Sequence, residues 1–165
     1  MKKDRGNVWL GVGAIVENAN GEWLVVKKTY SGLKGFWSIP AGFVQEGETI
    51  DRAVVREVKE ETAIDIRVKG MVGFRSGVIR GTISDNMAIF HTTMVDPTQQ
   101  YLAQEKEIAE VAWLLPQQLV KDPLTSLLLR EMAAHRIEQH ALAQIDNFNP
   151  GDQFGYTSYK LFMNR

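Results

Sequence analysis

Between Arg56 and Ala63 the chain reads REVKEETA, which gathers Glu57, Glu60 and Glu61 within five residues. At about 100° per residue, these carboxylates fall within an arc of roughly 100° on one side of a helix. Ile50, Val54, Val55 and Val58 occupy the adjoining arc. The pattern predicts a helix from Thr49 to about Thr62 that carries its acids along the margin of its buried face. Such clustering is costly, because like charges at i,i+3 and i,i+4 repel by a few tenths of a kcal/mol per pair. The acids also stand at the negative end of the helix dipole. Arg56 and Lys59 offset part of this, and a bound divalent cation would convert the repulsion into coordination. Oxygen ligands in a chain without cysteine, with no histidine nearby in sequence, favour Mg²⁺ or Mn²⁺ over zinc. By composition alone the same stretch reads as a solvated helix face, since Glu is a good helix former.

The preceding loop decides between these readings. From Gly42 the sequence runs Gly, five residues, Glu48, seven residues, then Arg56-Glu57-Val58-Lys59-Glu60-Glu61-Thr62-Ala63-Ile64. This resembles the Nudix box of the Nudix hydrolases, matching eight of nine defining positions over 23 residues. The departure is Ala63, where the family has glycine. A glycine just past a helix usually takes a left-handed cap, a conformation that costs alanine roughly 1 kcal/mol or more. No carboxylate is lost by the change, so it bears on the helix exit rather than on the chemistry. The chain must turn abruptly to begin a strand near Ile64, and a left-handed Ala63 is the expectation. Around the box, GFWSIPAGF resembles the strand that enters it and EIAEVAWLL the strand and turn that often follow.

The resemblance implies an α/β/α sandwich of the α/β (α+β) class with a mixed sheet between helices. It also implies metal-dependent hydrolysis of a pyrophosphate joining a nucleoside diphosphate to another moiety X. Glu57 and Glu61 are then metal ligands, Glu60 a further ligand or the base, and the Ala41 carbonyl a backbone ligand, with Glu48 and Arg56 holding the acids in place. Lys28 or Lys27 at the end of the second strand would meet a substrate phosphate, and strand alternation allows only one of them. Arg75 and Arg80 are further phosphate candidates because Arg suits bidentate recognition. Glu105, Glu107 and Glu110 are candidates for a loop base, against the plainer reading of a charged turn. Trp37, Tyr30 and the aromatic tail are read as packing rather than as base-stacking residues. Two alternatives stand beside this: a catalytically silent nucleotide-binding or sensor module on the same fold, and the isoprenoid diphosphate isomerase branch. The retained glutamates oppose the first, and the absence of cysteine opposes the second. The identity of X stays open among ADP-ribose, a dinucleotide, an oxidised nucleoside triphosphate and a nucleotide sugar.

The 165 residues, 44% of them hydrophobic, suffice for one domain with a core, and 1–165 is read as a single domain. A formal charge of −1 supplies no field to hold a nucleic-acid backbone, so no stable nucleic-acid complex is expected. No apolar run approaches a membrane span and the N-terminus lacks a cleavable-leader pattern, which reads as a soluble cytoplasmic protein acting on a small molecule. A homodimer is left open. Val8 to Glu17 and Glu22 to Lys28 read as strands of a hairpin turned at Asn18–Gly21, with a short extended piece at Trp37 to Ile39. Ile64 to Phe74, Asn86 to Val95 and Val111 to Leu115 read as further strands, with RSGVIRGTISD as a long loop. Leu124 to about Ala143 reads as an amphipathic helix, on which His135 and His140 do not share a face. The tail from Asn147, with Phe148, Phe154, Tyr156, Tyr159 and Phe162, reads as an edge strand or a pocket cover.

Overall fold

The predicted turn closes through its first asparagine: Asn18 Oδ1 accepts from the N–H groups of Asn20 and Glu22 at 2.9 and 3.0 Å. Gly21 supplies the positive φ of 74° that this reversal requires. The turn joins antiparallel strands β1 (Val8–Glu17) and β2 (Trp23–Lys28). The computed structural model describes residues 6–135, 141–149, 152–154 and 156–163.

β1 is the axis of a seven-stranded mixed sheet. One edge of β1 pairs in parallel with β6 (Ile83–Met94), which pairs antiparallel with β5 (Ile66–Ile79). Its other edge is shared by β2 and by the short β4 (Ala41–Phe43), while β2 also pairs with β3 (Trp37–Ser38) and β7 (Ile108–Leu114). The alternation of β1 divides the core. Val12, Ala14 and Val16 pack with Ala53, Val54 and Val58 of helix α1 (Ile50–Thr62). Ile15 turns to the opposite face, joining Trp23, Val25, Leu119 of α2 (Pro116–Lys121) and Leu129 of α3 (Leu127–Ala133). Helices thus cover both faces of a mixed sheet, the expected α/β/α sandwich.

Several elements differ from the sequence reading. RSGVIRGTISD is no long loop: β5 runs on to Ile79 and β6 begins at Ile83, with Arg80 and Gly81 at positive φ in the tight turn between them. The helix expected from Leu124 to Ala143 ends at Ala133, and Ala143–Ile145 is strand β8. His135 is exposed beside Glu131, and His140 lies outside the described residues. β8 pairs with β9 (Leu161–Met163), so the tail forms a small hairpin of its own rather than an edge strand of the main sheet. Phe162 meets Phe90 edge-on at 5.5 Å between ring centroids, which ties this hairpin to the α1-side core. Among the described residues, no helix is long and apolar enough to cross a membrane.

Candidate active site

α1 begins after Thr49, whose backbone is extended, and ends at Ala63 with φ 63° and ψ 7°, the left-handed cap expected from the sequence. The Ala63 N–H closes the helix on the Lys59 carbonyl at 2.9 Å. Two of the last carbonyls find partners outside the helix: Leu102 N–H donates to Thr62 O at 2.8 Å and Gln104 N–H to Glu61 O at 3.2 Å. The loop after β6 therefore satisfies groups that a helix end otherwise leaves to water.

The three glutamates part ways according to depth. Glu61 is 2% exposed, Glu57 is half-buried and Glu60 faces solvent. Glu57 lies directly over Gly42, where a Cβ would fall on its carboxyl carbon. Gly42 is thus the residue whose missing side chain lets α1 deliver a carboxylate onto β4. Arg56 organises the margin. Its Nε and Nη2 hold Glu48 at 2.7 and 2.9 Å, its Nη1 reaches Glu57 at 2.7 Å and Glu60 at 3.1 Å, and Nη2 also donates to the Phe43 carbonyl at 3.0 Å. The Arg56 guanidinium holds the Glu48 carboxyl below its usual range, and Glu48 first among its partners raises the Arg56 pKa.

Glu61 is the outlier electrostatically. Burial pushes its carboxyl up to about 7, against the opposing pull of the Lys28 ammonium. Its Oε2 accepts the Ala41 N–H at 3.3 Å and its Oε1 lies 3.2 Å from Lys28 Nζ. The same Nζ donates to the Ala41 carbonyl at 2.9 Å. A buried carboxylate and a backbone carbonyl therefore converge on one cation. Two hard oxygens around a positive charge, with Glu57 beside them on Gly42, are the donor chemistry that Mg²⁺ or Mn²⁺ prefers, so these residues fit a divalent ion. In this arrangement the carboxylates are turned onto Arg56 and Lys28, and among the described residues no three acidic or imidazole groups form a ready cluster for an ion.

The other sequence candidates separate. Lys28 reaches the glutamates, whereas Lys27 points to the opposite face, paired with Glu110 at 3.0 Å and lying 4.2 Å from the Trp37 ring centroid. Trp37 is buried in the core as packing, and Tyr30 is 48% exposed. Arg75 is committed to Asp85 at 2.5 Å, and Arg80 sits at the tip of the β5–β6 hairpin. No hydrogen bond or ion pair joins either arginine to Glu48, Glu57, Glu60 or Glu61. Sequence reasoning missed the joint hold of Lys28 on Ala41 and Glu61, which pairs residues far apart in the chain. The stretch GFWSIPAGF, read as one strand entering the box, divides into β3 and β4 about Ile39 and Pro40.

A glutamate-bearing helix laid over a glycine strand in a mixed-sheet sandwich defines the class of domain. The chain belongs to the Nudix family, whose NUDIX domain model matches residues 8–135. Members of this family generally depend on a divalent metal. The chain is 31% identical over 118 residues to Nudix hydrolase 8 of Arabidopsis thaliana, an alignment covering 70% of this chain and 31% of that protein. It is 42% identical over 67 residues to an ADP-ribose pyrophosphatase of Methanocaldococcus jannaschii, covering 41% of this chain and 39% of the relative. The chain thus spans less than half the length of these relatives. The crystal structure of a MutT protein from Methanosarcina mazei Go1 shares the fold at a TM-score of 0.66, with 21% identity, covering 80% of this chain and 94% of the other.

Proposed function

We propose that this chain hydrolyses the pyrophosphate bond of a nucleoside diphosphate linked to another moiety, with Mg²⁺ or Mn²⁺ held by Glu57, Glu61 and the Ala41 carbonyl. The observation that carries the reading is the convergence of the buried Glu61 carboxylate and the Ala41 carbonyl on one cation, at 3.2 and 2.9 Å from Lys28 Nζ. When bound, a divalent ion supplies charge neutralisation at phosphoryl oxygens and lowers the pKa of water. The chain's own residues do the rest. Arg56 fixes Glu57 over Gly42 and Glu60 beside it, so the acids are oriented before substrate arrives. Glu60, whose side chain is 56% exposed, is the acid that a water can reach. It takes the proton as the water oxygen bonds to phosphorus and the bridging P–O bond breaks, its electron pair leaving with the departing phosphate.

ADP-ribose is the first substrate to try, since a relative 42% identical over 67 residues carries that activity in its name. The test is product chromatography of the purified protein against ADP-ribose, a dinucleotide, an oxidised nucleoside triphosphate and a nucleotide sugar. Each is run with Mg²⁺, with Mn²⁺ and with EDTA. Hydrolysis of one class that EDTA abolishes is expected. Full activity in EDTA, or none with any class in either metal, overturns the proposal.

A further inference from the structure

Lys28 ends β2 at the point where the register against β7 shifts between Lys27 and Lys28. The extra residue of that irregularity, Ala109, lies on β7, so Lys28 keeps the alternation of its own strand. Lys28 follows Leu24 and Val26 onto the α1 face, and its side chain is 13% exposed. Its ammonium bonds the Ala41 carbonyl and pairs with Glu61, two oxygens given above to the metal. A divalent ion needs those oxygens at about 2.0 to 2.6 Å. An ammonium about 3 Å from the same two atoms occupies the same space and carries the same sign of charge, so both cannot hold the position together.

The reason for a lysine at this position lies in Glu61. A carboxylate only 2% exposed has almost no water to solvate it, and an unpaired buried charge is strongly destabilising. Lysine suits a temporary counter-ion, being a point charge on a flexible four-carbon stem that can withdraw without breaking a rigid fork of hydrogen bonds. Arg56 lacks that freedom, tied as it is to Glu48, Glu57, Glu60 and the Phe43 carbonyl.

We propose that Lys28 is an internal counter-cation of the metal site, occupying the shared point between Glu61 and the Ala41 carbonyl and leaving it when a divalent ion binds. The apparent metal affinity is then set by competition with the chain's own ammonium. The inference rests on the preceding reading of Glu61 and Ala41 as metal ligands, and the experiment separates the two.

Mn²⁺ alone is titrated calorimetrically into chelator-stripped protein, every variant in the same buffer at the same pH. The proteins are the wild type, Lys28→Met, Lys28→Gln, Lys27→Met and Glu61→Gln. Removing the competitor is expected to tighten Mn²⁺ binding about tenfold or more in both Lys28 variants. Lys27→Met, which removes the same charge one residue away on the other face, is expected to stay within about twofold because its ammonium pairs with Glu110 and lies over the Trp37 ring, away from Glu61 and the Ala41 carbonyl. Should the Lys28 variants be too unstable when stripped, the rise in melting midpoint across an Mn²⁺ series reports the same constant.

Lys28→Met and Lys28→Gln binding Mn²⁺ no tighter than wild type, while Glu61→Gln weakens it, refutes the counter-cation role and leaves the metal reading standing. Equal tightening by Lys27→Met shows a diffuse charge effect and also refutes it. Glu61→Gln binding Mn²⁺ as well as wild type overturns both.

Discussion

Replacing Ala63 by glycine is expected to stabilise the protein, the reverse of the usual effect of that substitution. Ala63 has φ 63° and ψ 7°, so its Cβ is held against the following peptide in a conformation glycine adopts freely. The left-handed geometry costs an L-residue roughly 1 to 2 kcal/mol. Glycine gives back about 0.4 to 1 kcal/mol through the greater freedom of the unfolded chain. The half-buried methyl gives back a few tenths more. The balance from the middle of these ranges is a gain of about 0.5 kcal/mol, and about 1.3 at most, taking the larger cap cost with the smaller entropy. The backbone bond from Ala63 N to Lys59 O survives, as does the Lys59 bond to the Ala63 carbonyl at 3.3 Å, because neither uses the side chain. In a urea melt with chelator present, a slope of about 2 to 3 kcal/mol per molar turns this into a midpoint rise of roughly 0.2 M. A lower midpoint at unchanged slope would show that the strain assigned to this cap is not there.

Glu57→Gln keeps the side chain's shape over Gly42 but not its charge, so kcat should fall by about 100-fold or more while the melt stays within about 1 kcal/mol; unchanged kcat places the chemistry elsewhere. Gly42→Ala puts a methyl where the Glu57 carboxyl rests. Because only the end of a flexible side chain must move, the fold should hold while the displaced acid costs about 100-fold in kcat, and wild-type turnover would refute that contact. Folded Glu61 keeps its proton up to about pH 7, whereas its ordinary value is 4.5. The native state thus binds more protons than the unfolded chain between those limits, so chelated protein should lose up to about 3 kcal/mol of stability as pH rises through that window. Glu61→Gln lacks the group and should lack the decline, and parallel stability profiles for the two proteins would contradict the assignment.

What the sequence discloses and what it withholds follow from the range of the interactions. Glu57, Glu60 and Glu61 sit one helical turn apart, so their shared side was readable from spacing, and the left-handed Ala63 followed from one departure in a local motif. The alternation that separates Lys27 from Lys28 is equally local and turned out as expected. Lys28 joining Ala41 and Glu61, by contrast, depends on where β4 and α1 meet in space, which no window around Lys28 contains. The β5–β6 hairpin was misread because Ser, Gly and Arg around its turn look like loop residues, while cross-strand bonds such as Ser76 Oγ to Asn86 Oδ1 at 2.7 Å keep the polar ends paired. The helix predicted to Ala143 overruns the observed one because apolar spacing from Leu124 to Met132 does not mark where the pattern stops, and no proline or glycine punctuates the following residues.

The small C-terminal hairpin has a consequence for anyone who would shorten this protein. β5 is an outer strand of the sheet, and an uncovered outer strand invites pairing with another chain. Here the register shifts at Val68/Gly70 and Met71/Gly73 interrupt its ladder. Between them Met71 exchanges backbone bonds with Leu142 at 3.0 and 2.8 Å, closely enough that a Cβ on neighbouring Gly70 would come within 2.9 Å of the Leu142 carbonyl. Residues 8–135, the span that matches the family, contain every glutamate of the candidate site but not Leu142. A protein trimmed to that span would keep its candidate catalytic groups and lose the backbone pairing at Met71, so the first sign of the missing hairpin would be turbidity in the tube before any change in turnover.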